Sequence, residues 1–381
     1  MQKSLLERRA FLLALVSLDG VGSRTVFKIL DVCRKKQLSR TEFWVNRYHI
    51  WQEMKLKEKT IESIKKFKKE HNLLDNLSQL EISGIQMVTF EESAYSSLLS
   101  TIEDLPVVLF VKSHIKVASE AWFNVFANTI SIVGTRKITN YGKLVINRLV
   151  PPLIDARQVV VSGFMYGVDL LSAQTALDHQ GQTIAVLGFG FNHCFPSSQK
   201  KTMQEFLERG AVFLTEFVPA TLARASNFVT RNRIVAGLSK ATLIIEAAKH
   251  SGSHITASYA NNYGRLVMAV PGPITNPFSE GTKELINQGA ILVNNAQDIL
   301  REIGVDYHLS LLNSKDVNKI SGSTSNENKL LLENLSFYPE LSFENLQKTT
   351  QIPVDKLNQL LFDLELQGKI IKKWGKYCLV S

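Results

Sequence analysis

VVVSGFMYGVD, residues 159–169, is the stretch whose reading decides the fold. Three β-branched residues, Val159, Val160 and Val161, run unbroken into Ser162 and Gly163. A second glycine, Gly167, then lets a helix start close to the backbone, with Asp169 in its first turn. An apolar run without alternation is a strand covered on both faces, and the glycines mark where the chain leaves it. The same rhythm recurs in ISIVG (130–134), TIAVLGFG (183–190), AVFLTEF (211–217), TLIIEAA (242–248), LVMAVPG (266–272) and AILVNN (290–295). Helical patterns separate these runs. Strands alternating with helices predict an α/β domain with a doubly wound, mostly parallel sheet. Ligands on such sheets bind beyond the carboxyl ends of the strands, where glycine turns meet helix N-termini.

Three strand ends carry candidate residues. SIVGTRKITNYGK (131–143) sets Gly134, Thr135 and Arg136 directly after a buried strand, and an arginine there can clamp a phosphate. Ser162 and Gly163 open the loop after the next strand. Asp169 either orients that loop or acts as a base, and the structural role is favoured because no histidine or second carboxylate lies nearby in sequence. IIEAAKHSGSHITASYA (244–260) places Ser251, Gly252 and Ser253 before a helix expected to begin near Ile255. Hydroxyls and free N–H groups at a helix start form an anion cradle. Glu246 at the strand end has Lys249 near it in sequence, which predicts an ion pair.

NFVTRNRIVAGLS (227–239) contains Arg231 and Arg233 on either side of Asn232, with no acid in the stretch. Residues two apart do not share a helix face, so one arginine points to the strand ends while the other braces the domain. Phe228 stands beside this cation pair. Guanidinium for phosphate and a ring for a base face is a combination that suits single-stranded nucleic acid. At least one guanidinium is therefore expected to be free for a phosphate.

Several chemistries lack their residues. Gly134 and Gly142 are too far apart for a Walker A loop, and Leu144 follows Lys143 where Ser or Thr belongs. GFGFNH (188–193) lacks the third glycine of a dinucleotide fingerprint. Cys33, Cys194 and Cys378 are far apart, and no Cys/His cluster has zinc spacing. The reading is of a reduced, cytoplasmic protein with no metal, no cofactor and no membrane association. The apolar N-terminal run is broken by charges and reads as a core helix. The chain has 381 residues and a formal net charge of +9, which favours an anionic partner.

The chain divides by composition. Residues 1–80 are helical and basic, and GVGSRTVFKIL (20–30) resembles the glycine turn of a helix-hairpin-helix module. The lysines between 55 and 69 read as a solvated helix face. The α/β domain covers 81–305. A polar linker follows at 306–328. At 329–381, a helix, a helix capped by Ser342, a helix with Pro353 at its first position and a hairpin make a winged-helix pattern. The third helix carries Asp355, Asp363 and Glu365, so a protein contact or a structural role is as plausible as duplex binding.

GTR…YG, VVVSG…GVD, IAVLG, NF-x-x-RNRI-x-x-GLS, EA…SGS-x-ITA and AVPG, in this order, resemble the DNA-processing protein A family (DprA, also called Smf) over about 84–300. The resemblance implies an extended Rossmann-like fold, a sterile-alpha-motif-like N-terminal extension and a C-terminal winged helix. It implies a non-enzymatic, homodimeric protein that binds single-stranded DNA and loads the RecA recombinase during natural transformation. Arg136, Phe228, Arg231 and Ser251–Ser253 would then form the DNA surface. The chain departs from the family pattern at SGFMYGVD (usually SGLALGID), YSSLL (usually YP-x-x-L) and Val229 (usually proline). These changes touch loop shape more than charge. The competing reading is a nucleotide-phosphate-binding enzyme of the phosphoribohydrolase type, whose motif PGG-x-GT-x-x-E has no matching glutamate in SGSHITASYA. A third reading is a transcription regulator acting through the winged helix.

Overall fold

The computed structural model describes residues 2–44, 51–52, 54, 56–70, 73–305, 326–337, 341–366, 369–373 and 375–379. By contacts the chain forms two compact units, Met1–Leu311 and Leu312–Ser381. Most of the linker expected at 306–328 lies outside the described residues, as does Lys55.

The first unit begins with helices α1 (Gln2–Val16), α2 (Ser23–Lys35), α3 (Arg40–Trp44), α4 (Glu58–Glu70) and α5 (Leu73–Ile82). Strands β1 (Gln86–Thr89) and β2 (Val108–Lys112) follow, then α6 (Glu120–Ala127) and β3 (Thr129–Val133). The core continues as α7 (Asn140–Asp155), β4 (Val159–Ser162), α8 (Val168–Asp178), β5 (Thr183–Val186), α9 (Lys200–Glu208) and β6 (Val212–Thr215). It ends with α10 (Ala225–Gly237), β7 (Ala241–Ile244), α11 (Ser253–Asn262), β8 (Leu266–Ala269), α12 (Glu280–Asn287), β9 (Ile291–Leu292) and α13 (Ala296–Glu302).

Each of the seven apolar runs contains a strand. The sheet order is β1-β2-β6-β5-β4-β3-β7-β8-β9. Pairings from β6 through β9 are parallel, while β1–β2 and β2–β6 are antiparallel. The chain winds outward from β3 to β6, then returns through α10 to β7 on the other side of β3. That reversal is the topological switch point, and it lies between β3 and β7.

Alternate residues of each strand feed opposite cores. Val159, Val161, Ile184, Val186, Val212 and Leu214 pack with Ile234 and Val235 of α10. On the other face, Ile130, Ile132, Val160 and Leu243 pack with Ile146, Leu149 and Val150 of α7. Phe110, Ala185 and Phe213 join a core with Phe11, Leu12, Ile29 and Phe43 of the N-terminal helices. Those helices therefore share a hydrophobic core with the sheet, and contacts mark no break near residue 80.

The second unit contains α14 (Asn326–Phe337), β10 (Leu341–Ser342), α15 (Phe343–Thr350), α16 (Val354–Leu366), β11 (Ile370–Lys373) and β12 (Lys376–Leu379). Its antiparallel sheet has the order β10-β12-β11. Leu331, Leu335, Leu346, Leu357, Leu361 and Leu364 form its core. Ser342 caps α15 by accepting the amide of Asn345 at 3.3 Å, as the sequence predicts. Pro353 directly precedes α16 instead of occupying its first turn. Among the described residues, no helix is long and apolar enough to cross a membrane, and no group of three or more His, Cys, Asp or Glu is placed to hold a metal ion.

Candidate nucleic-acid interface

The carboxyl end of β3 is shaped by close backbone approach. A Cβ on Gly134 would lie 2.7 Å from the Glu246 carbonyl oxygen and 2.7 Å from a Val168 methyl. Only glycine lets the chain turn there. The Thr135 amide then donates to the Glu246 carbonyl at 2.7 Å, tying β3 to the end of β7. The Thr135 carbonyl accepts the Val168 amide at 3.1 Å, fixing the start of α8. Gly167, at φ +85°, makes that approach possible, because a Cβ there would sit 2.2 Å from the Thr135 oxygen. The next side chain outward is Arg136. It is exposed, and among the described residues it forms no ion pair or side-chain hydrogen bond.

The arginines of α10 separate as their spacing requires. Arg231 is 3% exposed. Its Nη1 donates to the Gly163 carbonyl at 2.5 Å and also to the Val186 carbonyl, so one guanidinium joins the ends of β4 and β5. Its Nε is buried without a partner. Burial lowers its pKa to about 10, a loss partly offset by the Asp169 charge. Asp169 accepts the Gly163 amide at 3.0 Å. Burial raises the Asp169 pKa to about 6, against the opposing pull of Arg231 and of the Gly163 and Met165 amides. Asp169 thus orients the loop after β4. Arg231 is a bracket across strand ends, and Arg233 is ion-paired, so the expectation that at least one guanidinium of this pair is free for a phosphate does not hold.

Arg233 turns the other way. Its Nη2 meets Glu216 at 2.6 Å and its Nε lies 3.4 Å from Asp104. It is buried and does not line the cleft, so its assignment to the phosphate surface is corrected to a bracing role. The stretch around it holds no acid, but two acids from distant segments pair with it.

Glu246 is 1% exposed. It accepts from the Thr139 amide at 2.9 Å, the Thr139 hydroxyl at 2.5 Å and the Asn276 amide group at 3.2 Å. The predicted ion pair with Lys249 is replaced by this hydrogen-bond set, and Lys249 is exposed. Thr139 also caps α7 by accepting the Gly142 amide at 3.2 Å. The helix after the Ser251–Ser253 turn begins at Ser253, earlier than expected, with the Ser253 hydroxyl 2.8 Å from that of Ser251.

These elements enclose a cleft of about 540 Å³. That volume falls within the usual range for small-ligand sites, roughly 300–1,000 Å³. Gly134, Thr135, Arg136, Gly163, Phe228, Arg231, Asn232, Ser251, Gly252 and Ser253 all line it. Of the residues predicted from sequence, Ser162 and Arg233 do not; Ser162 is wholly buried at the end of β4. The first turn of α11 lines the cleft, so the positive end of its dipole borders the cavity, while the Ser253, His254 and Ile255 amides donate to the Ser251 hydroxyl, the Ser251 carbonyl and the Gly252 carbonyl. Among the lining residues that escaped the sequence reading are one cation and one ring. Arg224, exposed at the N-cap of α10, adds a second cation that forms no ion pair among the described residues. Phe195 adds a second ring, 5.5 Å from Phe228. Each had a signal, namely an arginine in the small-residue loop before NF and a large ring in the loop HCFPSS.

The family model for DNA recombination-mediator protein A matches residues 86–304. The chain is 35% identical over 220 residues to DNA processing protein DprA of Bacillus subtilis, covering 58% of this chain and 72% of that protein. It is 35% identical over 233 residues to protein Smf of Escherichia coli, covering 61% of this chain and 60% of that one. The X-ray structure of DprA from Streptococcus pneumoniae superposes with a TM-score of 0.62 at 26% identity, over 79% of this chain and 96% of that one. The DNA processing protein A structure from Helicobacter pylori, described for its single-stranded DNA binding mode, superposes with a TM-score of 0.50 at 25% identity, over 57% and 95%. With the matched segment spanning the whole sheet and its cleft, this chain belongs to the DNA recombination-mediator protein A family.

Proposed function

We propose that the cleft holds single-stranded DNA by its backbone, and that the protein is a recombination mediator without an enzymatic step. The observation that carries this reading is the pair of exposed arginines, Arg136 and Arg224, that form no ion pair among the described residues and line one cleft together with the N-terminus of α11. Cations and the positive end of a helix dipole at a strand-end crevice favour phosphates, and the adjacent rings suit unstacked bases. The Helicobacter pylori relative, described as binding single-stranded DNA, supports the same ligand here. The family resemblance extends the proposal to protection of incoming DNA, loading of RecA during natural transformation, a homodimer and a cytoplasmic location. The described residues of the second unit, three helices with a three-stranded antiparallel sheet, fit a winged helix, and the N-terminal helices fit a sterile-alpha-motif-like extension.

The test is fluorescence anisotropy with a labelled single strand and the matching duplex across a salt series. The proposal expects preference for the single strand, with a log–log slope near −0.7 per phosphate contacted. Weak binding to both, with release of free base from a nucleoside monophosphate, would instead support the phosphoribohydrolase-type enzyme.

A further inference from the structure

We propose that Phe195 is the base-stacking platform of the cleft, with Phe228 as the ring that supports it. This rests on the single-strand reading above and deepens it by assigning the base contact. Proteins that hold single strands without reading sequence use cations for the backbone and aromatic faces for the bases. The cleft has its cations in Arg136 and Arg224. Its lining includes two rings, Phe195 and Phe228.

The two rings differ in what already covers them. Phe228 lies against the backbone of β5's exit, where a Cβ on Gly188 would come within 2.8 Å of its Cδ1. The centroid of Phe189 lies 6.5 Å from that of Phe228 in an edge-to-face arrangement, and the Arg231 guanidinium carbon 5.8 Å from it. Phe195 leans on it at 5.5 Å with a 46° tilt. Phe228 is thus packed into the wall. Phe195 is 45% exposed, and among the described residues the ring it packs against is Phe228. Leaving so much of a phenyl ring in water forgoes burial that the core would otherwise gain.

The loop holding Phe195 is fixed on both sides of the ring. Upstream, the Asn192 amide donates to Pro219 at 2.9 Å and the His193 amide to Gly190 at 3.0 Å. Downstream, the Gln199 amide donates to Pro196 at 3.0 Å, and the Ser198 hydroxyl lies 2.6 Å from that of Tyr166. A ring held this way loses little freedom when a base settles on it, which is what makes a platform effective. The neighbouring Val229, also exposed, extends the apolar edge of the cleft.

The experiment compares the full chain with F195A, F195L and F195W on two labelled probes. One is oligo-dT. The other has the same length and phosphodiester backbone but abasic units. F195A and F195L are expected to bind oligo-dT roughly 5- to 100-fold more weakly, the span of one base–ring stack. Both should match the wild type on the abasic strand, and F195W should restore oligo-dT binding. On the wild type, 2-aminopurine in the strand should be quenched on binding, and the quenching should disappear in F195L. Equal losses on both probes, or no loss on either, would overturn the platform while leaving the cleft a DNA site. Failure of the wild type to bind either probe would sink the single-strand reading itself.

Discussion

Arg231 and Asp169 meet over the Cα of Gly163: a Cβ at that position would lie 2.6 Å from Nη2 of the arginine and 2.6 Å from Oδ2 of the aspartate. The loop after β4 thus has its amide held by Asp169 and its carbonyl held by Arg231. Both side chains are buried at the floor of the cleft, beneath the exposed Arg136. The floor is a fixed frame and the rim carries the adaptable charge.

Gly163→Ala should break that frame. The added methyl displaces two buried, hydrogen-bonded groups, and overpacking of this kind costs about 1–3 kcal/mol. Denaturant midpoints should fall accordingly. Single-strand affinity of the remaining folded protein should fall as well, since the cleft floor is re-shaped. Unchanged stability and affinity would show that Arg231 and Asp169 move apart freely.

Asp169 makes stability depend on pH in an unusual direction. Its carboxyl is raised from 3.8 to about 6 in the folded state, so between these values the native protein holds the proton more tightly than the unfolded chain. Stability from this group is greatest below the unfolded value and declines as pH rises through the folded one, by on the order of 3 kcal/mol. Asp169→Asn keeps an acceptor for the Gly163 amide but cannot titrate. The stability of the wild type relative to this variant should fall between about pH 4 and 6. A constant difference across that window would contradict the burial argument.

Arg136 and Arg224 should behave as binding residues and not as structural ones. Each is exposed and forms no ion pair among the described residues, so Arg136→Ala or Arg224→Ala should change stability by no more than about 0.5 kcal/mol. Each should lower the salt slope of single-strand binding by about 0.7 if its side chain neutralises one phosphate. Charge reversal, Arg136→Glu, should remove measurable binding with the melting temperature preserved. Wild-type binding by a folded Arg136→Glu protein would remove that residue from the site.

Arg233 should give the opposite pattern. It pairs at 2.6 Å with Glu216, whose carboxyl is raised by burial and held down by this arginine. Arg233→Ala leaves Glu216 buried without its partner, a change that typically costs about 3–5 kcal/mol. Thermal and denaturant unfolding would register the loss. DNA affinity per folded molecule should be little altered, because Arg233 lies outside the cleft lining. A large affinity loss with stability intact would return Arg233 to the binding surface.

The sequence by itself determined the parallel sheet and where its ligand edge lies. Runs such as VVVSG and TIAVLG are apolar on both faces, which a strand satisfies only between two layers of helices, and each ends in glycine because the backbone must turn closely there. Placing Gly134–Arg136, Gly163 and Ser251–Ser253 at that edge followed from the same local pattern. The spacing of Arg231 and Arg233 also required that they diverge. Only the tertiary structure decided which one faces the cleft, because Glu216 and Asp104 reach Arg233 from other segments and the carbonyls of Gly163 and Val186 come together only when β4 and β5 pair. The partners of Glu246, the exposure of Phe195 beside Phe228, and the core shared by the N-terminal helices and the sheet were decided the same way. Periodicity fixes which residues share a face of one element. What that face meets depends on packing between segments distant in the chain, and no local pattern encodes it.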